Sequence, residues 1–69
     1  MNYNKLPYLM TRQEVADLIG MSRYFIMDHE RELMLMDCRV KWSSSRIRYK
    51  RDDVIRVFQK QGLIERSHN

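Results

Sequence analysis

The apolar positions of this chain change period twice. Val15, Leu18 and Ile19, and after them Phe25, Ile26, His29 and Leu33, fall at helical spacing. From Cys38 to Lys50 apolar residues instead alternate with cations, and from Val54 the helical period returns in Val54, Ile55 and Phe58, with Val57 widening the stripe. A period near 3.6 marks one face of a helix and a period of two marks a strand with distinct faces. The pattern predicts helix, helix, β-hairpin, helix, an α+β and mainly helical chain.

Local chemistry sharpens the boundaries. Pro7 holds the chain extended before Tyr8 and Leu9, and Thr11-Arg12-Gln13-Glu14 reads as a capping box opening the first helix. Met10 and Val15 have the spacing of a hydrophobic staple around that cap, and Ala16 is small enough for a second helix to approach. Gly20 ends the first helix because the tight turn favours positive φ, and Ser22 caps a second helix expected to run to about Glu32. Leu33 to Asp37 is then a connector whose Leu and Met residues cover the bottom of the core. The hairpin tip falls at Ser43-Ser44-Ser45, which lacks an Asn-Gly turn signal and so favours a loop of three or four residues. Asp52 and Asp53 suit the positive end of a third helix, Lys60 its far end, and Gly62 its stop. The folded unit is expected over residues 8–62, with 1–7 and 63–69 as flexible termini and Leu63 and Ile64 as anchors.

Sixty-nine residues make one small domain, able to bury roughly 60% of the surface of its unfolded chain. The apolar fraction of 43% and the charged fraction of 32% suit a folded chain. The single cysteine, Cys38, excludes an intrachain disulfide, and the longest aliphatic run, Leu33 to Met36, is too short for a signal or membrane segment. These features predict a protein of the bacterial cytosol or nucleoid with no membrane partner. His29, His68 and Cys38 lack zinc-ligand spacing, and there is no phosphate loop or nucleophile–base pair, so the sequence predicts no enzyme, no cofactor and no metal.

Charge changes the picture most. Residues 1–33 carry a balance of −1, residues 34–69 one of +5, and segment 39–51 holds six cations and no acid. Strict alternation predicts a two-faced ribbon, with Cys38, Val40, Trp42, Ile47 and Tyr49 on one side and Arg39, Lys41, Arg46, Arg48 and Lys50 on the other. A cationic strand face of this kind is shaped to lie along a phosphate backbone.

Segment Arg12 to Arg31 resembles a helix-turn-helix unit, with Ala16 at its small position, Gly20 in its turn, and Val15, Ile19, Met21 and Ile26 at its buried positions. Arg46-Ile47-Arg48-Tyr49-Lys50-Arg51-Asp52-Asp53-Val54-Ile55 resembles the strand-to-helix junction of MerR-type winged-helix proteins. In this layout the chain is similar, over about residues 8–60, to the excisionase family (recombination directionality factors) of phages and integrative elements. The resemblance implies a winged helix-turn-helix fold that binds double-stranded DNA, bends attachment-site DNA, associates with further copies of itself, and directs a tyrosine-recombinase integrase toward excision. It implies DNA contacts from Ser22, Arg23, Tyr24 and Met27 on the second helix and from Arg39, Lys41, Ser44, Arg46, Arg48 and Lys50 on the wing. Asp28, Glu30 and Glu32 oppose deep seating of that helix, so its first turn and the wing should carry the binding. Two other readings stay open: a phage or mobile-element transcriptional regulator on the same fold, and a protein-interaction module with a basic wing.

Overall fold

The computed structural model describes residues 2–43 and 46–66, with Trp42 and Ser43 as backbone only. Thr11 builds the entry to the first helix, α1 (Arg12–Leu18): Glu14 N–H donates to its Oγ1 at 3.1 Å, and its own N–H donates to Glu14 Oε1 at 2.8 Å. Met10 and Val15 flank this cap and are fully buried. Gly20 closes the helix at φ +68°, with Met21 N–H reaching back to the Ala16 carbonyl at 3.0 Å, the reversal that ends many helices.

Ser22 then caps α2 (Arg23–Asp28), which stops short of the expected Glu32. His29 closes it: its N–H donates to the carbonyls of Phe25 and Ile26, and its ring stacks on Phe25 at 4.2 Å. A second reversal follows at Met34, the one non-glycine residue with positive φ (62°) among the described residues, where Leu35 N–H donates to the Glu30 carbonyl at 2.8 Å. This turn splits the connector. Leu33 and Leu35 face the core, while Met34 and Met36 remain 45% and 47% exposed and do not cover it as expected. Met21, expected at a buried position, is also exposed because it sits beyond the Gly20 reversal.

A short 3-10 turn (Met36–Cys38) leads into β2 (Arg39–Ser43), which pairs antiparallel with β3 (Arg46–Lys50). On its other side β3 pairs with β1 (Leu9–Met10), a strand the alternation does not announce because it is two residues long; the sheet order is β1-β3-β2. The register overturns the expected division of faces. Arg39 lies opposite Tyr49, Val40 opposite Arg48 and Lys41 opposite Ile47, whereas nearer the tip Ser43 lies opposite Arg46. Residues directly opposite share a face, so Arg39 and Lys41 lie on the side of Ile47 and Tyr49, and Val40 lies among Arg46, Arg48 and Lys50. Trp42 is the extra residue of a bulge, and a one-residue slip moves a strand's whole set of side chains to the other face.

α3 (Arg51–Gln61) follows β3 directly, with Asp52 and Asp53 in its first turn and Gly62 (φ +76°) ending it as expected. Val54, Val57 and Phe58 face a core shared with Met10, Val15, Ile26, Leu35 and Tyr49. Residues 2–7, in the terminus expected to be flexible, make contacts with the rest of the chain. Tyr3 is buried in a 3-10 turn (Tyr3–Lys5) and its hydroxyl donates to the Glu65 carbonyl at 2.9 Å. Arg51 donates to the carbonyls of Asn4 and Leu6 and lies 5.8 Å from the Tyr8 ring centroid. Beyond Gly62, Ile64 packs on the core. Among the described residues no helix is long and apolar enough to cross a membrane.

Candidate nucleic-acid interface

Because β1 spans two residues, it covers β3 only at Tyr49 and Lys50. The flank of β3 from Arg46 to Arg48 is open, and a groove of about 510 Å³ lies there, walled by the start of α1 and by α2. Arg51 N–H donates to the Tyr8 carbonyl at 2.8 Å. Alternate residues of a strand turn their peptide groups the same way, so Ile47 turns its own toward this flank. The guanidinium of Arg48 meets the Ile47 carbonyl there at 3.1 Å.

Five of the residues expected at the site come together in this groove: Arg23, Tyr24, Met27, Arg46 and Arg48. Arg23 is the first residue of α2, and its guanidinium donates to the Tyr24 hydroxyl at 3.0 Å while lying 5.0 Å from that ring's centroid. The bond favours the phenolate, lowering the Tyr24 pKa, and by the same charge coupling raises that of Arg23. Met27 follows one turn later, 47% exposed. Among the described residues no carboxylate lies within ion-pair distance of Arg23, Arg46 or Arg48.

The remaining expected residues take other places. Ser22 uses its hydroxyl to accept from Phe25 N–H at 3.2 Å, so its oxygen is a helix cap. Lys41 is exposed on β2, across from Ile47, and Lys50 is exposed opposite Leu9. Ser44 lies outside the described residues. Arg39 is committed within the chain: its Nε lies 3.5 Å from Glu30. Its own strand register turns it toward that carboxylate instead of outward with Arg46 and Arg48.

Glu30 is the centre of that arrangement. It accepts from the Tyr49 hydroxyl at 2.6 Å and lies 3.8 Å from Arg12, with only 12% of its side chain exposed. It therefore does not add negative charge to the helix surface as the sequence suggests: α2 has ended, and two guanidiniums and a phenol surround the carboxylate. Burial first, and the bond to Glu30 second, push the Tyr49 pKa up to about 12.

Arg12 is the residue that sequence reasoning misses. It lines the groove while its Nε donates to the Tyr49 hydroxyl at 3.2 Å, and Thr11, Gln13 and Ile47 line the groove beside it. A signal for it existed. A cation at the first position of a helix opposes the helix dipole, so Arg12 needed a purpose other than helix stability.

The groove offers guanidiniums, one phenol and a thioether. Cys38, the chain's thiol, is away from it, 1% exposed, and held protonated by burial and by the nearby Asp53, with its pKa pushed to about 11. Among the described residues no cluster of His, Cys, Asp and Glu is arranged to hold a metal ion. The chemistry available is anion recognition, with planar donors set around a concave surface. No protein-family model, curated protein or solved structure matches this chain.

Proposed function

We propose that the chain is a DNA-binding protein of winged helix-turn-helix type, acting as an excisionase-like architectural factor on double-stranded DNA. The observation that carries this reading is the gathering of Arg23, Arg46 and Arg48 around one open groove with no carboxylate of the chain, among the described residues, to neutralise them. The first turn of α2 enters the major groove, where Arg23 can hold a guanine edge in two hydrogen bonds and Tyr24 packs on a sugar or a thymine methyl. Arg46 and Arg48 follow the adjacent minor groove or its phosphates, and Arg12 joins them at the start of α1.

Dimensions bear on the mode of action. The chain measures 37 × 21 × 19 Å, comparable in length to one turn of B-DNA at about 34 Å. One copy therefore meets few phosphates, and several copies on neighbouring sites are needed to hold a bend of order 1–6 kcal/mol. The partner in this reading is a tyrosine-recombinase integrase acting on the same DNA.

The test is fluorescence anisotropy on duplex DNA over a range of salt. With three or four phosphate contacts the slope of log affinity against log salt is roughly −3 to −4. A slope near zero, or equal binding after Arg46→Ala with Arg48→Ala, overturns DNA recognition through this groove. A circular-permutation gel-shift on attachment-site DNA tests the architectural part: a bound but straight duplex removes the excisionase reading and leaves a transcriptional regulator.

A further inference from the structure

A second groove, sharing no residue with the first, lies between the Met34 turn and the outer face of α3. It has a volume of about 460 Å³, and its lining includes Arg31, Met34, Met36, Arg56, Val57 and Lys60. The floor is apolar, and the rim sets Arg31, Arg56 and Lys60 against one acid, Asp37. Arg56 and Lys60 also border the adjoining surface that carries Arg66, so the cationic rim continues along α3. Arg56 is held by Asp53 at 3.0 Å, whereas Arg31, Lys60 and Arg66 have no ion-pair partner among the described residues.

Met34 is the independent clue. The chain makes the same backbone reversal three times, at Gly20, Met34 and Gly62, each with the next N–H reaching back to the carbonyl five residues earlier. Glycine serves the turn twice. At the third place a methionine accepts the left-handed conformation, at a cost of about 1–2 kcal/mol, and then leaves its side chain 45% exposed. Core packing does not require that side chain and the turn disfavours it. A strained residue displayed on a surface points to a use for the surface.

From these observations we infer that this groove docks an acidic, amphipathic peptide segment of a partner protein, independently of the DNA reading. Exposed thioethers adapt to varied apolar side chains, and a helix that lays its apolar face into a groove sets its carboxylates against the rim. The charge is complementary: the unpaired Arg31 and Lys60 border the apolar floor, and Arg66 extends the basic surface beside it. A nucleic acid fits this place less well, because the apolar floor of Met34, Met36 and Val57 offers no donors to phosphate and suits apolar side chains instead.

The probe is a fluorescein-labelled sixteen-residue helical peptide with Leu along one face and Glu elsewhere, used with protein carrying ¹³C-labelled methionine methyls. The expected result is saturable binding that shifts the Met34 and Met36 methyls and leaves Met27 unmoved. Met34→Gly keeps the turn, and it and Lys60→Glu each weaken the peptide by at least about tenfold, whereas Arg46→Ala with Arg48→Ala leaves peptide binding unchanged. Several results overturn the inference: no methyl shift at about 1 mM peptide, equal binding of a peptide with Leu replaced by Ser, or a shift at Met27 in place of Met34. Self-association abolished by Lys60→Glu, seen by sedimentation without peptide, replaces the foreign partner with a second copy. Displacement of the peptide by duplex DNA from protein lacking Arg46 and Arg48 assigns the groove to nucleic acid.

Discussion

The hydroxyl of Tyr49 donates to Glu30 at 2.6 Å while accepting from Arg12 at 3.2 Å. A fully buried residue of β3 thus ties the segment after α2 to the first residue of α1. Arg39 approaches the same carboxylate from β2 at 3.5 Å, so four separate parts of the chain meet at one acid. Tyr49→Phe keeps the ring in the core and removes the bridge. We expect it to destabilise the fold by about 1–3 kcal/mol, a fall in Tm of several degrees or more for a chain of this size. Thermal and urea unfolding measure it, and an unchanged midpoint would show that the bridge contributes nothing net.

Alkaline pH loosens the same region. The Tyr49 phenol moves from an ordinary pKa of 10.0 to about 12 in the folded chain, and the Cys38 thiol from 9.0 to about 11, both chiefly through burial. Each group holds its proton more tightly when folded, so its contribution is complete below the unfolded pKa and is lost as pH rises through the folded one. Urea unfolding should give a stability that is level up to about pH 9 and falls between there and pH 12, by on the order of 2 kcal/mol per group. Cys38→Ala should remove the lower part of the fall and Tyr49→Phe the upper part.

The hairpin cations divide by role. In the proposed DNA complex, Arg46→Ala with Arg48→Ala should reduce the salt slope of binding by about two and leave stability within about 0.5 kcal/mol. Arg39→Ala should do the opposite, costing stability through Glu30 with little direct effect on DNA. Equilibrium unfolding and anisotropy on the same samples separate the two, and matching effects in both variants would refute the division.

Met34→Gly relieves the left-handed backbone without emptying the core, and we expect a gain of about 1 kcal/mol. Urea unfolding checks it. A loss would mean that the exposed thioether contributes more to packing than the turn costs.

Thr11→Ala should cost about 1 kcal/mol, since the side chain accepts from Glu14 N–H and supports the cap between the buried Met10 and Val15. Reduced thermal stability with unchanged α3 amide protection would place the effect at α1.

Much of this architecture is written locally. The cap at Thr11, the reversals at Gly20 and Gly62, the acidic start of α3 and its buried stripe all depend on neighbours within one or two turns, and all appear where the residues indicate. The coarse order of helices and hairpin follows. What depends on pairing between distant segments was not legible. β1 exists because β3 offers it a partner, and just beyond the end of α2 Glu30 meets Arg12, Arg39 and Tyr49 from three other segments, which helical spacing alone does not disclose. The groove is half legible: Arg23, Tyr24, Met27, Arg46 and Arg48 are named by the resemblance to a helix-turn-helix with a wing, whereas Arg12 depends on a tertiary bond to Tyr49. Arg39 was misplaced for a sharper reason. Were Trp42 paired with Ile47 instead of bulged, the pairing of Ser43 with Arg46 continued inward would set Val40 against Tyr49, as alternation suggests.

That bulge also decides where the chain's cations point. Were the pairing of Ser43 with Arg46 carried inward without a slip, Lys41 would stand opposite Arg48 and Arg39 opposite Lys50, and one side of the hairpin would be wholly basic. Glu30 would then lose the contact that Arg39 now makes. Positive charge along the ribbon and cohesion of the fold therefore compete for the same arginine, and a one-residue offset in the ladder assigns it to cohesion.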